Sequence, residues 1–151
     1  MYRLEREQEI CITIQKAWDF IRNPRNLNRI TPPELGFEII SDVPDSMFNG
    51  LIIEYIITIP FFGRRKWVAE IKHIREPFSF VDEQRAGPYK FWYHYHELIK
   101  TDKGIRVIDR VYYEVPYWIF GKILNALFIR RTLRRIFDHR KEKVSAYFNK
   151  K

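Results

Sequence analysis

Apolar and polar residues alternate from Leu4 to Ile14, with Ile10, Ile12 and Ile14 set against Glu9, Cys11 and Thr13, which predicts an opening strand. The run Lys16-Ala17-Trp18-Asp19-Phe20-Ile21-Arg22 is compatible with a helix. Pro24 ends it and can start a second short helix through Leu27 and Ile30, which Thr31-Pro32-Pro33 then stops. Strands are expected at Phe37 to Ser41, Gly50 to Pro60, Lys66 to Arg75 and Ser79 to Arg85. The turn formers Pro44-Asp45, Phe61-Phe62-Gly63, Glu76-Pro77 and Ala86-Gly87-Pro88 separate them. Lys90 to Lys100 and Ile105 to Val115 then read as a hairpin across Thr101-Asp102-Lys103-Gly104, and Trp118 to Phe148 as one long helix.

In that helix Ile119, Phe120, Ile123, Leu124, Leu127 and Phe128 recur at helical spacing, and Ile136, Phe137, Val144, Tyr147 and Phe148 prolong the stripe. Arg130, Arg131, Arg134, Arg135, Arg140 and Lys141 are assigned to the opposite face. Gly121 costs about 1 kcal/mol relative to alanine inside a helix, so a close approach to a strand or ligand is its expected reason; a helix break is the alternative. One strand, two short helices, six meandering strands and a long last helix make an α+β domain with an antiparallel sheet bent round that helix.

Candidate chemistry is concentrated between Phe80 and Leu98, where acids, two histidines and aromatics crowd two strands joined at Gly87-Pro88. Strand parity puts Trp92, His94, His96 and Leu98 on one side and Phe91, Tyr93, Tyr95 and Glu97 on the other. On the next strand Ile105, Val107, Asp109, Val111, Tyr113 and Val115 form the apolar side, so Asp109 is a lone carboxylate facing inward. A four-residue loop at Thr101 to Gly104 pairs His96 with Asp109, Trp92 with Tyr113 and His94 with Val111. A three-residue loop with Gly104 as a bulge would instead bring Tyr95 and Glu97 beside Asp109. The first register is preferred because it avoids stacking Glu97 on Asp109.

At 151 residues the chain is read as one domain, 1–151, large enough for a core of its own. Its single cysteine, Cys11, is expected to be a small buried apolar residue and calls for no oxidising compartment. The charged start lacks the apolar run of a signal peptide, and no stretch reaches the roughly 18 apolar residues of a membrane span, so a cytoplasmic location is expected. The net charge of +8 gathers in Arg64-Arg65-Lys66 and from Arg130 to Lys143. No zinc-finger spacing, phosphate loop or RNA-binding aromatic signature accompanies these patches, so nucleic acid is not an expected partner.

Trp18-Asp19-Phe20-Ile21 with Pro24 and Asn26-Leu27, then Ile30-Thr31-Pro32-Pro33-Glu34-Leu35-Gly36-Phe37, then Phe80-Val81-Asp82-Glu83-Gln84 leading to Gly87-Pro88-Tyr89, carry a family resemblance. Trp92, His94, His96, Asp109, Tyr113 and Pro116 complete it. Over essentially the whole chain the pattern resembles the START and pollen-allergen-like SRPBCC superfamily, closest to its bacterial ligand-binding, polyketide cyclase-like branch. The resemblance implies a helix-grip fold: a curved antiparallel seven-stranded sheet around a long C-terminal helix, two short helices after strand 1, and a cavity between sheet and helix. It also implies a small hydrophobic ligand and treats Trp92, His94 and His96 as a matched set. Trp67, Trp92, His94, His96, Asp109, Tyr113, Gly121 and Leu124 are the expected ligand wall.

His94, His96 and Asp109 admit three readings: a hydrogen-bonded polar band on the cavity wall, a base oriented by a carboxylate, or two metal ligands and an acid. The band is preferred, since a third strong metal ligand is not evident, and no metal or cofactor is expected. Asp82 and Gln84 either join this band or lie solvated near the turn. Phe61 and Phe62, followed by Arg64 and Arg65, suit a loop that gates the cavity or meets an anionic membrane surface; the alternative folds both rings back onto the helix ends. The expected function is binding or transport of a small hydrophobic or amphipathic molecule. The alternatives are a cyclase or dehydrase using a cavity histidine, or an interaction domain that uses the basic helix face and has a filled core.

Overall fold

The computed structural model describes residues 1–59, 63–116, 121, 123 and 125–149. Strand β1, Tyr2–Ile10, is followed by helix α1, Ile14–Ile21, a 3-10 turn at Pro24–Asn26, helix α2, Leu27–Ile30, and a second 3-10 turn at Pro33–Leu35. Then come β2, Glu38–Ile39; β3, Leu51–Ile59; β4, Gly63–Arg75; β5, Ser79–Ala86; β6, Phe91–Thr101; and β7, Gly104–Glu114. After a π turn at Asn125–Ile129, helix α3 runs over Arg130–Phe148. The strands form one antiparallel sheet in the order β1-β7-β6-β5-β4-β3-β2, wrapped around α3 as a helix-grip fold.

The opening strand stops four residues earlier than alternation alone indicates, because the Thr13 side chain accepts a hydrogen bond from the Lys16 amide and caps α1. Ile14 thereby becomes the first residue of a helix that buries Ile14, Ala17, Trp18 and Phe20 on one face. Cys11 lies in the turn between the two elements and is exposed, contrary to the buried site expected for it. β4 starts at Gly63, earlier than the expected Lys66, and β2 shrinks to two residues. Register shifts in the β4–β5 pair, between Val68 and Ala69 and between Lys72 and Arg75, bend β4 and help curve the sheet.

The β6–β7 hairpin adopts the preferred register: Trp92 faces Tyr113, His94 faces Val111, His96 faces Asp109 and Lys100 faces Ile105. Inward residues of the sheet, among them Leu4, Ile53, Trp67, Ile71, Trp92, Leu98 and Val111, pack with Trp18, Leu133 and Phe137 as one core. Fully burying each large apolar side chain contributes about 1.5–3 kcal/mol.

The last helix departs from its expected pattern in two ways. Ile123, Leu127 and Phe128, assigned to the sheet-covering stripe, are exposed, with Leu127 at 59%. The π turn at Asn125–Ile129 shifts the phase, so Ile123 before it does not line up with Leu133 and Phe137 after it. Arg140, assigned to the outer face, instead lies above the sheet. Leu133, Phe137, Arg140 and Val144 recur at alternating steps of four and three residues, which places them on one face. The expected starting point Trp118, with Ile119, Phe120 and Leu124, lies outside the described residues.

Candidate functional site

Register places the polar groups of the inner sheet face in two adjoining rows. One row runs Ile71, Asp82, His94, Val111 and Leu4 across β4, β5, β6, β7 and β1; the next runs Phe80, His96, Asp109 and Arg6. His94 and Asp109 are therefore diagonal neighbours, close enough for side chains of this length to meet. His94 Nε2 and His96 Nδ1 each lie 2.9 Å from the same oxygen, Oδ1, of Asp109. A carboxylate only accepts, so the hydrogen bond between His94 and Asp109 requires the proton on His94 Nε2. The two rings are 3.6 Å apart between centres, and His96 stacks on Phe80 at 4.2 Å while Phe137 of α3 stands edge-on to His94 at 5.4 Å.

Burial dominates the electrostatics of this cluster. It pushes the His94 imidazole down to about 3, with His96 acting the same way and Asp109 opposing, so His94 is neutral. Burial also acts to raise Asp109, but the hydrogen bonds from His94 and His96 outweigh it and hold the carboxyl well below its ordinary range. Asp82 is pushed up by burial against the pull of His96 and Arg140, and its Oδ1 has no hydrogen-bond partner among the described residues. Arg140 is lowered by burial, opposed by Asp109, Tyr55 and Asp82.

Two cavities flank the cluster. The larger, about 690 Å³, lies between the sheet and the first half of α3 and is walled by Tyr55, Trp67, Tyr89, Trp92, Leu133 and Ile136, with His94 in its floor. The smaller, about 170 Å³, is lined by Phe20, Ile53, Ala69, Ile71, Leu98, Val107 and Val144, with His96 and Asp109 at its edge. Leu27, Tyr55, Asp82, Phe137 and Arg140 line both and form the partition between them. Aromatic contacts stiffen the wall of the larger one: Trp67 stacks on Tyr55 at 5.7 Å and meets Trp92 edge-to-face at 5.1 Å. The Trp67 indole Nε1 is buried without a partner among the described residues.

Of the residues expected at a ligand wall, Trp67, Trp92 and His94 line the larger cavity and His96 and Asp109 the smaller. Tyr113 is buried behind Trp92 and Tyr89, at 6.2 Å and 5.8 Å. Gly121 is in neither lining: a Cβ there would stand 2.3 Å from the Pro116 carbonyl oxygen, so the close approach expected for it is to backbone. Leu124, Phe61 and Phe62 lie outside the described residues. Arg64 pairs with Glu38 at 3.0 Å, while Arg65 lies exposed along the larger cavity. Gln84 does not join the band, because its amide is used by Tyr89, whose backbone oxygen accepts from Nε2 at 2.7 Å and whose amide donates to Oε1 at 3.2 Å.

Asp82 and Arg140 are the site residues that sequence reasoning does not secure. Parity with Phe80 marks Asp82 as inward-facing, and the spacing from Phe137 to Val144 marks Arg140. Asp82, His94 and His96 also offer one metal-ligand atom each within 4.8 Å of one another, so Asp82 is the third donor that spacing alone does not reveal. Such a set suits a divalent cation of the zinc or iron type, with Asp109 orienting both imidazoles from behind. Arg140 lines the same partition and adds positive charge against that use.

No family model and no curated protein matches the chain. Solved structures do. A START superfamily protein from Mycobacterium smegmatis superposes with a TM-score of 0.72 at 8% identity, covering 97% of this chain and 96% of that one. Another Mycobacterium smegmatis protein gives 0.69 at 17% identity over 96% of this chain and 89% of its own. A Thermus thermophilus protein gives 0.67 at 16% identity over 97% and 99%. At these identities the likeness is one of architecture: the chain shares the helix-grip fold of that START superfamily protein.

Proposed function

We propose that the protein binds a small hydrophobic or amphipathic molecule, lipid- or polyketide-like, between the sheet and α3, and holds or carries it as a single cytoplasmic domain. The observation that carries this reading is the cavity of about 690 Å³, walled by Tyr55, Trp67, Tyr89 and Trp92, with Asp82, His94 and Arg140 among its polar groups. That volume falls within the range of ordinary ligand pockets, which are mostly apolar with a few convergent anchors. The same cavity counts against the filled core that the interaction-domain reading requires. Native mass spectrometry of the purified protein tests the proposal. The expected result is a co-purified small molecule at one per chain, or uptake of the neutral fluorophore N-phenyl-1-naphthylamine by stripped protein; an empty protein that takes up no such probe counts against it.

A cyclase or dehydrase activity is the second reading, favoured by His96 reaching the smaller cavity with the Asp109 carboxylate 2.9 Å behind its Nδ1. His94, pushed down to about 3, is too weak a base for chemistry near neutrality. Loss of turnover of a poly-β-ketone in His96→Gln, with ligand binding retained, is the result this reading expects. An anionic membrane surface is proposed as partner on the exposure of Leu127 and Phe128, with Phe128 sharing the larger cavity's lining with Arg65 and Lys66. Among the described residues no helix is long and apolar enough to cross a membrane.

A further inference from the structure

Arg140 is the cation at the centre of the partition. It follows Leu133 and Phe137 on the buried face of α3, and its guanidinium carbon stands 5.2 Å from the centre of the Phe137 ring. Among the described residues its buried Nε has no hydrogen-bond partner and no carboxylate forms an ion pair with it. Asp82 and Asp109 act on it only from a longer distance. Arg140 as a whole is half-buried, and partners for arginine inside proteins are ordinarily bidentate carboxylates or phosphates. Arg140 lines both cavities.

We propose that Arg140 anchors the carboxylate of an apolar monocarboxylic acid whose body occupies the larger cavity. This rests on the reading of that cavity as a ligand site and names the ligand's class. The guanidinium fork matches a carboxylate in two parallel hydrogen bonds. A single negative charge is called for, because Arg140 is the one cation among the described residues that line both cavities. Asp82 lies in the same partition, and its Oδ1 is buried with no hydrogen-bond partner among the described residues. The aromatic wall beyond supplies the apolar contact.

The test compares cis-parinaric acid with its methyl ester, two fluorescent probes that share a body and differ in the charge. Wild-type protein is expected to bind the acid at least about tenfold more tightly than the ester. Arg140→Gln is expected to weaken the acid by about tenfold or more and to change the ester by less than about twofold, with Arg140→Lys intermediate because it keeps the charge and loses the fork. Arg134→Gln, which removes the same charge from the exposed face of α3, is expected to change neither; the circular dichroism of each variant checks its fold. An acid whose affinity survives Arg140→Gln, or equal losses for acid and ester, overturns the anchor and leaves the cavity reading standing. Failure of both probes to bind wild-type protein overturns both.

Discussion

His94 Nε2 and Asp109 Oδ1 meet at 2.9 Å across a diagonal of the β6–β7 pair, although the residue directly opposite His94 is Val111 and the one opposite Asp109 is His96. One carboxylate oxygen thereby serves two imidazoles, and His94 is only 2% exposed. Asp109→Ala should leave the His94 N–H without its buried partner, a loss of about 1–3 kcal/mol before any contribution from His96. Urea unfolding at neutral pH checks this, and a midpoint unchanged from wild type contradicts the structural role given to the pair.

Acid should weaken the fold through His94. Its folded value of about 3 lies below the roughly 6.5 of an unfolded histidine, so between the two the unfolded chain binds more protons and stability falls as pH drops. The full effect is on the order of a few kcal/mol. Asp82 acts in the opposite sense: its folded value is raised, so its contribution is complete below its unfolded value and is lost as pH rises through the folded one. Asp109, held low in the folded state, adds to the loss as pH falls through its unfolded value, while Arg140 keeps its charge. Melting temperatures followed downward from neutral pH should therefore fall less in His94→Leu than in wild type, and more in Asp82→Asn.

The register itself depends on Gly104, which pairs with Thr101 at the hairpin end with φ 140°. A Cβ there would stand 2.2 Å from the Ile10 carbonyl oxygen and 2.9 Å from Cys11 Cα, where the end of β1 closes over the turn. Neither contact is with a flexible side chain that could move aside. Gly104→Ala should therefore cost about 1–3 kcal/mol, as overpacking does, and should broaden the amide spectrum of residues in β1 and β7. A fully stable Gly104→Ala protein is incompatible with this packing.

Leu133 is buried yet borders the larger cavity, so part of its surface has no protein neighbour to lose. Leu133→Ala should cost about 2 kcal/mol, the low end of the range for such truncations. The space it vacates adds to the cavity, so affinity for a bulkier probe should rise while stability falls. Opposite signs in the two measurements separate a ligand wall from an ordinary core position.

Much of this is legible in the sequence wherever one residue type has one reason to sit where it does. Parity places Trp92, His94 and His96 on the inner face, and keeping Glu97 away from Asp109 selects the observed pairing; in the fold Glu97 instead takes Arg110 at 2.8 Å. The misreadings concern residues whose type argues against their position. Arg140 groups with the outward arginines because charge normally marks the solvent side, and only its spacing from Phe137 and Val144 indicates otherwise. Ile123 and Leu127 read as inward because a π turn leaves no mark in helical periodicity. Thr13 reads as a strand residue, since a cap and an outward strand position both favour threonine.

The partition shared by the two cavities gives selectivity an unusual location. Tyr55 and Asp82 come from the sheet, Phe137 and Arg140 from α3, and all four stand in the walls of both spaces. A change in the rotamer of any one of them alters both volumes together. Recognition at this point would act in the middle of a guest molecule, with the shape to either side deciding whether the protein presents one long chamber or two short ones.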